Sequence, residues 1–482
     1  MSEDDRSIVD IDYVRETLAS IGWKYTDVLF GFIGVIVYAR VFSQTDFGAA
    51  YAVIAAARVI QNLANGVLIG IKKRISEDTS RKSLNQHLTL GVVFIFCFTV
   101  ICFAGTAIGV RVLDIGTYSE YVYYGALSVG ARSMFYLSKQ VAAGMGYPSR
   151  SHRADTVDGA TTLVFRVGLW LFAGFGATAI LLGEILSGLL IAIAFLLSMR
   201  VYPITVPSLA QATNLYRFAR WSSINNFANG LFNQGPTSML GYLVSPVSAA
   251  VYKAGSTLSQ PGTVLSGAIA GNLIVKVSQN HTEDTSFETV ARTSISVAPA
   301  VAIPVLFGAV ALGDELMPVV FSGSYTGTGF ALVAASVFAL MFSIKKPLYS
   351  VANGADLPDL LTKVNTIRVF VFLPTLALTM SLYDFTAFLW GVIFVQTVDT
   401  AILSHLVKSK TELSAVFDWS LLGPQIVAGG LMYAVIATLD AVYDPVGLIS
   451  LGVTVGTGGV LYTVVTLAFE NIRAEIIENI SF

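Results

Sequence analysis

Residues 88–110 read LTLGVVFIFCFTVICFAGTAIGV, without one charged side chain. A helix that spans a bilayer needs about 20 predominantly apolar residues, and this run supplies them. Its two cysteines, Cys97 and Cys102, are five apart and do not face each other on a helix. They read as small packing residues, not as a disulfide or metal pair. Outward from this run the same pattern recurs in thirteen segments: 20–42, 47–71, 121–144, 159–177, 179–199, 221–243, 247–275, 291–313, 328–350, 366–383, 385–406, 421–439 and 447–468. Composition agrees. Of 482 residues, 54% are hydrophobic and 12% charged, against roughly 25% charged in average soluble usage. These figures exclude a cytosolic enzyme, a disordered chain and a coiled coil. The net charge of -2 leaves no basic face for nucleic acid.

The expected fold is an all-α polytopic membrane protein. About 14 transmembrane helices form two six-helix lobes plus a C-terminal helix pair. The expected divisions are an N-terminal interfacial segment (1–19), an N-lobe of spans one to six (20–206), a C-lobe of spans seven to twelve (207–410), and spans thirteen and fourteen with a cytoplasmic tail (411–482). Ile8, Ile11, Val14 and Leu18 recur at helical spacing, which suits a short amphipathic helix before the first span. The polar stretch Tyr202–Arg220 separates the halves. An internal repeat supports the division: Ser43, Arg74 and Ser76 match Ser245, Lys276 and Ser278 at an offset of 202, and parallel repeats are a transporter architecture. Loop charge sets the orientation. Twenty-one basic residues in loops or near span ends fall on one side and one, Arg111, on the other. The basic side is cytoplasmic, so both termini are expected there, with the chain in the plasma membrane.

No phosphate-binding G-x-x-x-x-G-K-[ST] loop and no H-E-x-x-H pair occurs. The chain reads as a secondary transporter or flippase and not as an enzyme, with no cofactor. Ionisable residues inside spans are costly and face aqueous cavities as a rule. Seven basic residues lie in spans: Lys24, Arg40, Arg58, Arg132, Lys139, Arg166 and Lys253. The acids are Asp27, Glu184 and Asp399, with Asp46 at a span edge. Lys24 and Lys139 are close enough to helix ends to snorkel, and Arg40 can pair with Asp46. Arg58 and Arg132 are near mid-span. A surplus of guanidinium in a cavity suits a phosphate, which arginine binds bidentately. Lys24, Arg58, Lys253, Arg132, Arg166 and Arg40 are therefore the candidate substrate-binding residues. Asn62 and Asn65 in span two, and Asn226, Asn229 and Asn233 in span seven, offer amides to sugar hydroxyls. Interhelical hydrogen bonds are the competing reading of each. Pro236 suits a bendable seventh helix.

Tyr38-Ala39-Arg40-Val41-Phe42, then Asp46-Phe47-Gly48, then Gly66-Val67 and Lys73-Arg74-Ile75-Ser76 resemble the opening of polysaccharide transporters. These form the oligosaccharide flippase branch of the multidrug/oligosaccharidyl-lipid/polysaccharide flippase superfamily. Tyr252-Lys253-Ala254-Gly255 resembles the start of their eighth span. The resemblance implies two six-helix bundles that alternate between inward- and outward-open states. It implies a substrate partner, a polyprenyl-phosphate- or pyrophosphate-linked oligosaccharide, carried from the inner to the outer leaflet. By the same resemblance Lys24, Arg58 and Lys253 hold the phosphate, and Asp27 is a candidate for coupling to Na+ or H+. Membrane lipids, and glycosyltransferases or a polymerase, are the further partners implied. Two alternatives remain at this point: a cation-coupled multidrug exporter, and a non-transporting scaffold of a glycan-synthesis complex.

Overall fold

A computed structural model describes residues 13–473, apart from residues 79, 114, 204, 283–285, 383, 412 and 444–446. The described chain is helical throughout. The first six helices are α1 (Tyr13–Val41), α2 (Gln44–Glu77), α3 (Arg81–Val112), α4 (Val122–Gly144), α5 (Pro148–Ala173) and α6 (Ala179–Ser198). α7 (Leu209–Met239) ends in a π-turn at Leu240–Val244. Next come α8 (Pro246–Ser259) and α9 (Val264–Thr282), joined through a 3-10 turn that carries Pro261. α10 (Glu288–Val297) and α11 (Ala302–Val320) are joined in the same way through Pro299. The chain continues with α12 (Gly329–Gly354), α13 (Pro358–Ser381), α14 (Phe385–Thr411), α15 (Trp419–Tyr443) and α16 (Leu448–Ala468). With α8–α9 and α10–α11 each counted as one rod, the described residues form fourteen rods, the number of apolar segments in the sequence. Eight of these rods are long and apolar enough to cross a membrane by length and composition.

The rods start earlier than apolarity alone suggests. The fifth span, expected from residue 159, begins at Pro148, and the eleventh, expected from residue 366, begins at Pro358. Proline suits the first helical turn because its missing N–H has no partner to lose there. The stretch expected to be a soluble linker, Tyr202–Arg220, is mostly helix, since α7 opens at Leu209. Val14 and Leu18 belong to α1, while Ile8 and Ile11 lie outside the described residues.

The chain forms two compact units. Among the described residues, one takes in residues 13–34 with Val53–Gly235; the other takes in Val35–Ala52 with residues 236–473. In the first, Leu68, Ile71 and Ile75 of α2 pack with Leu88 and Ile95 of α3 and Leu137 and Val141 of α4. Small residues let the rods approach: a Cβ on Gly66 would lie 2.2 Å from the Ser223 backbone nitrogen of α7. In the second unit, Leu273 and Val277 of α9 pack with Leu348 and Val351 of α12 and Leu403 and Val407 of α14. A further core there joins Ile303 and Leu312 of α11 to Met432 and Ile436 of α15 and Tyr462 of α16.

Between α4 and α5, Val141-Ala142-Ala143-Gly144 leads through Gly146 to Pro148; between α12 and α13, Val351-Ala352-Asn353-Gly354 leads through Asp356 to Pro358. The offset is 210 throughout. Both turns need a left-handed residue, met by Gly146 at φ 87° and Asp356 at φ 52°. This second repeat sets α4–α5 and α12–α13 in common register.

Candidate ligand site in the first unit

The site is built from Arg58 of α2, Arg132 and Lys139 of α4, Asp155, Asp158 and Arg166 of α5, and Glu184 of α6. Helix spacing aligns them: Arg132 and Lys139 are seven apart, and Asp155 and Asp158 three apart, so each pair shares a face. Gly183 lets α5 and α6 close on one another, since a Cβ there would lie 2.8 Å from the Arg166 backbone nitrogen. The next residue, Glu184, is 2% exposed at its side chain and gathers three guanidinium groups. Arg58 Nη2 lies 3.0 Å from Oε1, Arg166 Nη2 3.1 Å from Oε2, and Arg132 Nε 3.6 Å from Oε1. Arg132 also holds Asp158 at 2.6 Å, and Ser187 Oγ donates to the same carboxylate at 2.8 Å. Arg166 Nε donates to the Ile180 carbonyl at 2.8 Å. Lys139 pairs with Asp155.

The charge balance differs from the sequence reading. Asp155 and Asp158 precede the apolar part of α5, so they fall outside the spans when spans are drawn by apolarity. The helix nonetheless carries both to Lys139 and Arg132. Four basic groups thus face three acids, and Asp27 evens the count: a Cβ on Gly159 would lie 2.8 Å from its Oδ1. The cluster is a balanced network and not a bare cationic surface. Burying so many charges is tolerable only because they are paired.

A cavity of about 210 Å³ opens on this network. Arg58, Arg132, Lys139 and Asp155 form its charged wall, Phe135 and Tyr136 its aromatic wall, and Gln61, Asn62 and Gln234 supply amides. Arg58 keeps 41% of its side-chain surface exposed. Among the described residues, its guanidinium has Glu184 as its acceptor, whereas Arg132 and Arg166 each hold a second one.

The other expected site residues are distributed differently. Asn62 Nδ2 donates to the Arg58 carbonyl at 2.8 Å, and Asn65 Nδ2 to Asn62 Oδ1 at 3.3 Å. Asn226 donates to the Ser222 carbonyl of its own helix, while Asn229 and Asn233 are exposed. Arg40 lies in the second unit, where Nε donates to the Val320 carbonyl at 2.8 Å and Nη2 to that of Val319, so it caps α11. Lys253, also in the second unit, has its ammonium 5.2 Å from the centre of the Tyr51 ring. The side chain of Lys24 lies outside the described residues. Sequence reasoning missed Glu184, Lys139, Asp155 and Asp158 as site residues; proline at the first position of α5 is the signal that would have drawn the two aspartates into the helix.

The second unit holds its own ion cluster, again absent from the sequence reading, which counted Lys345 and Arg368, near the ends of spans 328–350 and 366–383, with the basic residues of the cytoplasmic side. Asp399 of α14 binds Lys345 Nζ of α12 at 2.8 Å and Arg368 Nε of α13 at 2.9 Å. Gln396 accepts from Lys345, and Arg368 donates to the Tyr349 hydroxyl. All three charged side chains are under one-tenth exposed.

A protein-family model described as "Polysaccharide biosynthesis protein" matches residues 37–328. The chain belongs to this family. The resemblance carried by Tyr38–Ser76 and Tyr252–Gly255 therefore stands, and this polysaccharide biosynthesis protein is a multi-span membrane protein. It is similar to two proteins of Haloferax volcanii. It is 21% identical over 314 residues to the "Probable low-salt glycan biosynthesis flippase Agl15", covering 65% of this chain and 66% of that protein. It is 24% identical over 440 residues to the "Probable flippase AglR", covering 86% of this chain and 88% of the relative. Among solved structures it resembles the lipid II flippase MurJ in an inward closed conformation. The TM-score is 0.72 at 11% identity, over 94% of this chain and 99% of the other. At that identity the likeness is one of fold.

Proposed function

We propose that this protein is a flippase for lipid-linked oligosaccharides. It moves a polyprenyl-phosphate- or pyrophosphate-linked glycan from the inner to the outer leaflet of the plasma membrane for surface glycan assembly. The observation that carries the proposal is the half-exposed Arg58 at the wall of a polar, amide-lined cavity in a chain of the polysaccharide biosynthesis family. The names of the Haloferax relatives point the same way.

In this reading Arg58 holds the lipid phosphate through its planar guanidinium. Gln61, Asn62 and Gln234 meet sugar hydroxyls, and Phe135 and Tyr136 face sugar rings. Lys24 and Lys253 would extend the phosphate contact, and the two six-helix halves would alternate access. Asp27, packed against α5, remains the candidate for coupling to H+ or Na+. Both termini would face the cytoplasm, where glycosyltransferases deliver the substrate.

The test is a deletion strain. Polyprenyl-linked glycan is extracted after spheroplasts are treated with an impermeant glycosidase. The expected result is accumulation of a shielded species, reversed by wild type. An unchanged pool and orientation would contradict the proposal, and drug sensitivity would then favour the exporter reading.

A further inference from the structure

We infer that Glu184 is an internal stand-in for the ligand's phosphate: it holds Arg58 when the cavity is empty and yields it when a phosphate group arrives. The inference rests on the flippase reading above and deepens it by naming the residue that sets phosphate affinity.

Three observations carry it. Glu184 is shared by three arginines, so losing one leaves its buried charge still paired with two. Arg132 and Arg166 are tethered a second time, by Asp158 and by the Ile180 carbonyl, and these tethers hold them beside Glu184. Arg58 and Arg132 both line the cavity, and Arg58, at 41%, is the most exposed of the three side chains. Of the two arginines on the cavity wall, Arg58 is thus the one without a second tether among the described residues.

The exchange has a consequence for transport. A carboxylate and a phosphate both accept two parallel N–H bonds from a guanidinium. Competition from Glu184 lowers resting affinity for phosphate, and it offers Arg58 an acceptor when the ligand leaves. A carrier needs that balance, because a ligand bound without competition is released slowly. Glu184 is therefore a positioning residue that acts through Arg58.

The experiment measures binding of undecaprenyl phosphate to purified full-length protein in detergent, alongside thermal unfolding. Glu184→Gln keeps the shape and an acceptor oxygen but removes the charge. We expect its binding to tighten about tenfold, equal to about 1.4 kcal/mol, while flipping slows. The double variant Glu184→Gln with Arg58→Gln should lose the gain. A purely structural Glu184 would instead give weaker binding and a lower melting temperature. Unchanged or weaker binding by a folded Glu184→Gln, or a gain that survives Arg58→Gln, would overturn the inference. If Glu184→Gln does not fold, Glu184→Asp, which draws the carboxylate back from Arg58, is measured in the same way with the same expected direction. Failure of wild type itself to bind undecaprenyl phosphate would overturn the phosphate reading of the cavity, a separate result from failure of the exchange.

Discussion

In the first unit, Glu184 gathers Arg58, Arg132 and Arg166 beside a cavity; in the second, Asp399 gathers Lys345 and Arg368 with every charged side chain enclosed. The shared register of α4–α5 and α12–α13 makes the comparison residue by residue. Ten residues after its opening proline, α5 carries Asp158 and α13 carries Arg368. Lys139 and Asp155 of the first unit correspond to Tyr349 and Asn365 of the second, where the tyrosine hydroxyl donates to Asn365 Oδ1 at 3.4 Å. One backbone turn thus supports a charged pair in one unit and a neutral one in the other. The repeat supplies a place for polar contact between helices, and side chains decide whether that place carries a charged pair beside a cavity or a neutral pair.

The sharpest break should come at the closed cluster. Asp399→Ala leaves Lys345 and Arg368 buried without their counter-charge, a change that costs about 3–5 kcal/mol. Thermal unfolding in detergent should show a large loss or no folded protein. A smaller effect is expected from Gly183→Ala, whose new Cβ would lie 2.4 Å from Arg166 Cγ. Overpacking of this kind costs about 1–3 kcal/mol, and ligand binding should weaken as Arg166 shifts beside Glu184.

The comparison can also be tested by transplanting one unit's chemistry into the other. The double variant Lys139→Tyr with Asp155→Asn rebuilds the neutral pair of the second unit in the first. Both original side chains are partly exposed, so stability should change by about 1 kcal/mol or less. A loss of several kcal/mol would show that the two turns are not interchangeable.

The smallest effect lies outside both clusters and serves as their control. Asp78, in the turn between α2 and α3, accepts from the Ser80 backbone N–H at 3.0 Å, and this contact holds its carboxyl below its ordinary value. A depressed folded value stabilises above the unfolded value and stops doing so as pH falls through the folded one. The small advantage of wild type over Asp78→Asn should therefore be present at neutral pH and fade as pH drops below the ordinary aspartate range. Unfolding measured across that range checks it.

Fourteen rods were legible because apolar length and loop charge are local properties, and the family was legible from Ala39-Arg40, Asp46-Phe47-Gly48 and the basic run at Lys73-Arg74. Arg58, Arg132 and Arg166 were found because isolated charges stand out in apolar sequence. Asp155 and Asp158 were not, because drawing spans by apolarity pushes charge into loops, and Lys345 and Arg368 were not, because charge near a span end reads as cytoplasmic, whereas a charge with a partner on a neighbouring helix can stay inside. Pairing is a tertiary property, so the balance between Glu184 and its arginines has no local signature. Arg40 also stands out by its position, and the structure gives it the carbonyl end of α11.

Reconstitution shows whether Arg58 meets the lipid phosphate. Proteoliposomes carrying a fluorescent lipid-linked oligosaccharide are treated from outside with an impermeant quencher, with wild type or Arg58→Ala. Wild type should make the inner-leaflet pool accessible while Arg58→Ala stays at the protein-free background, with melting temperatures close together because Glu184 retains two arginines. Flipping by Arg58→Ala at the wild-type rate would contradict that contact.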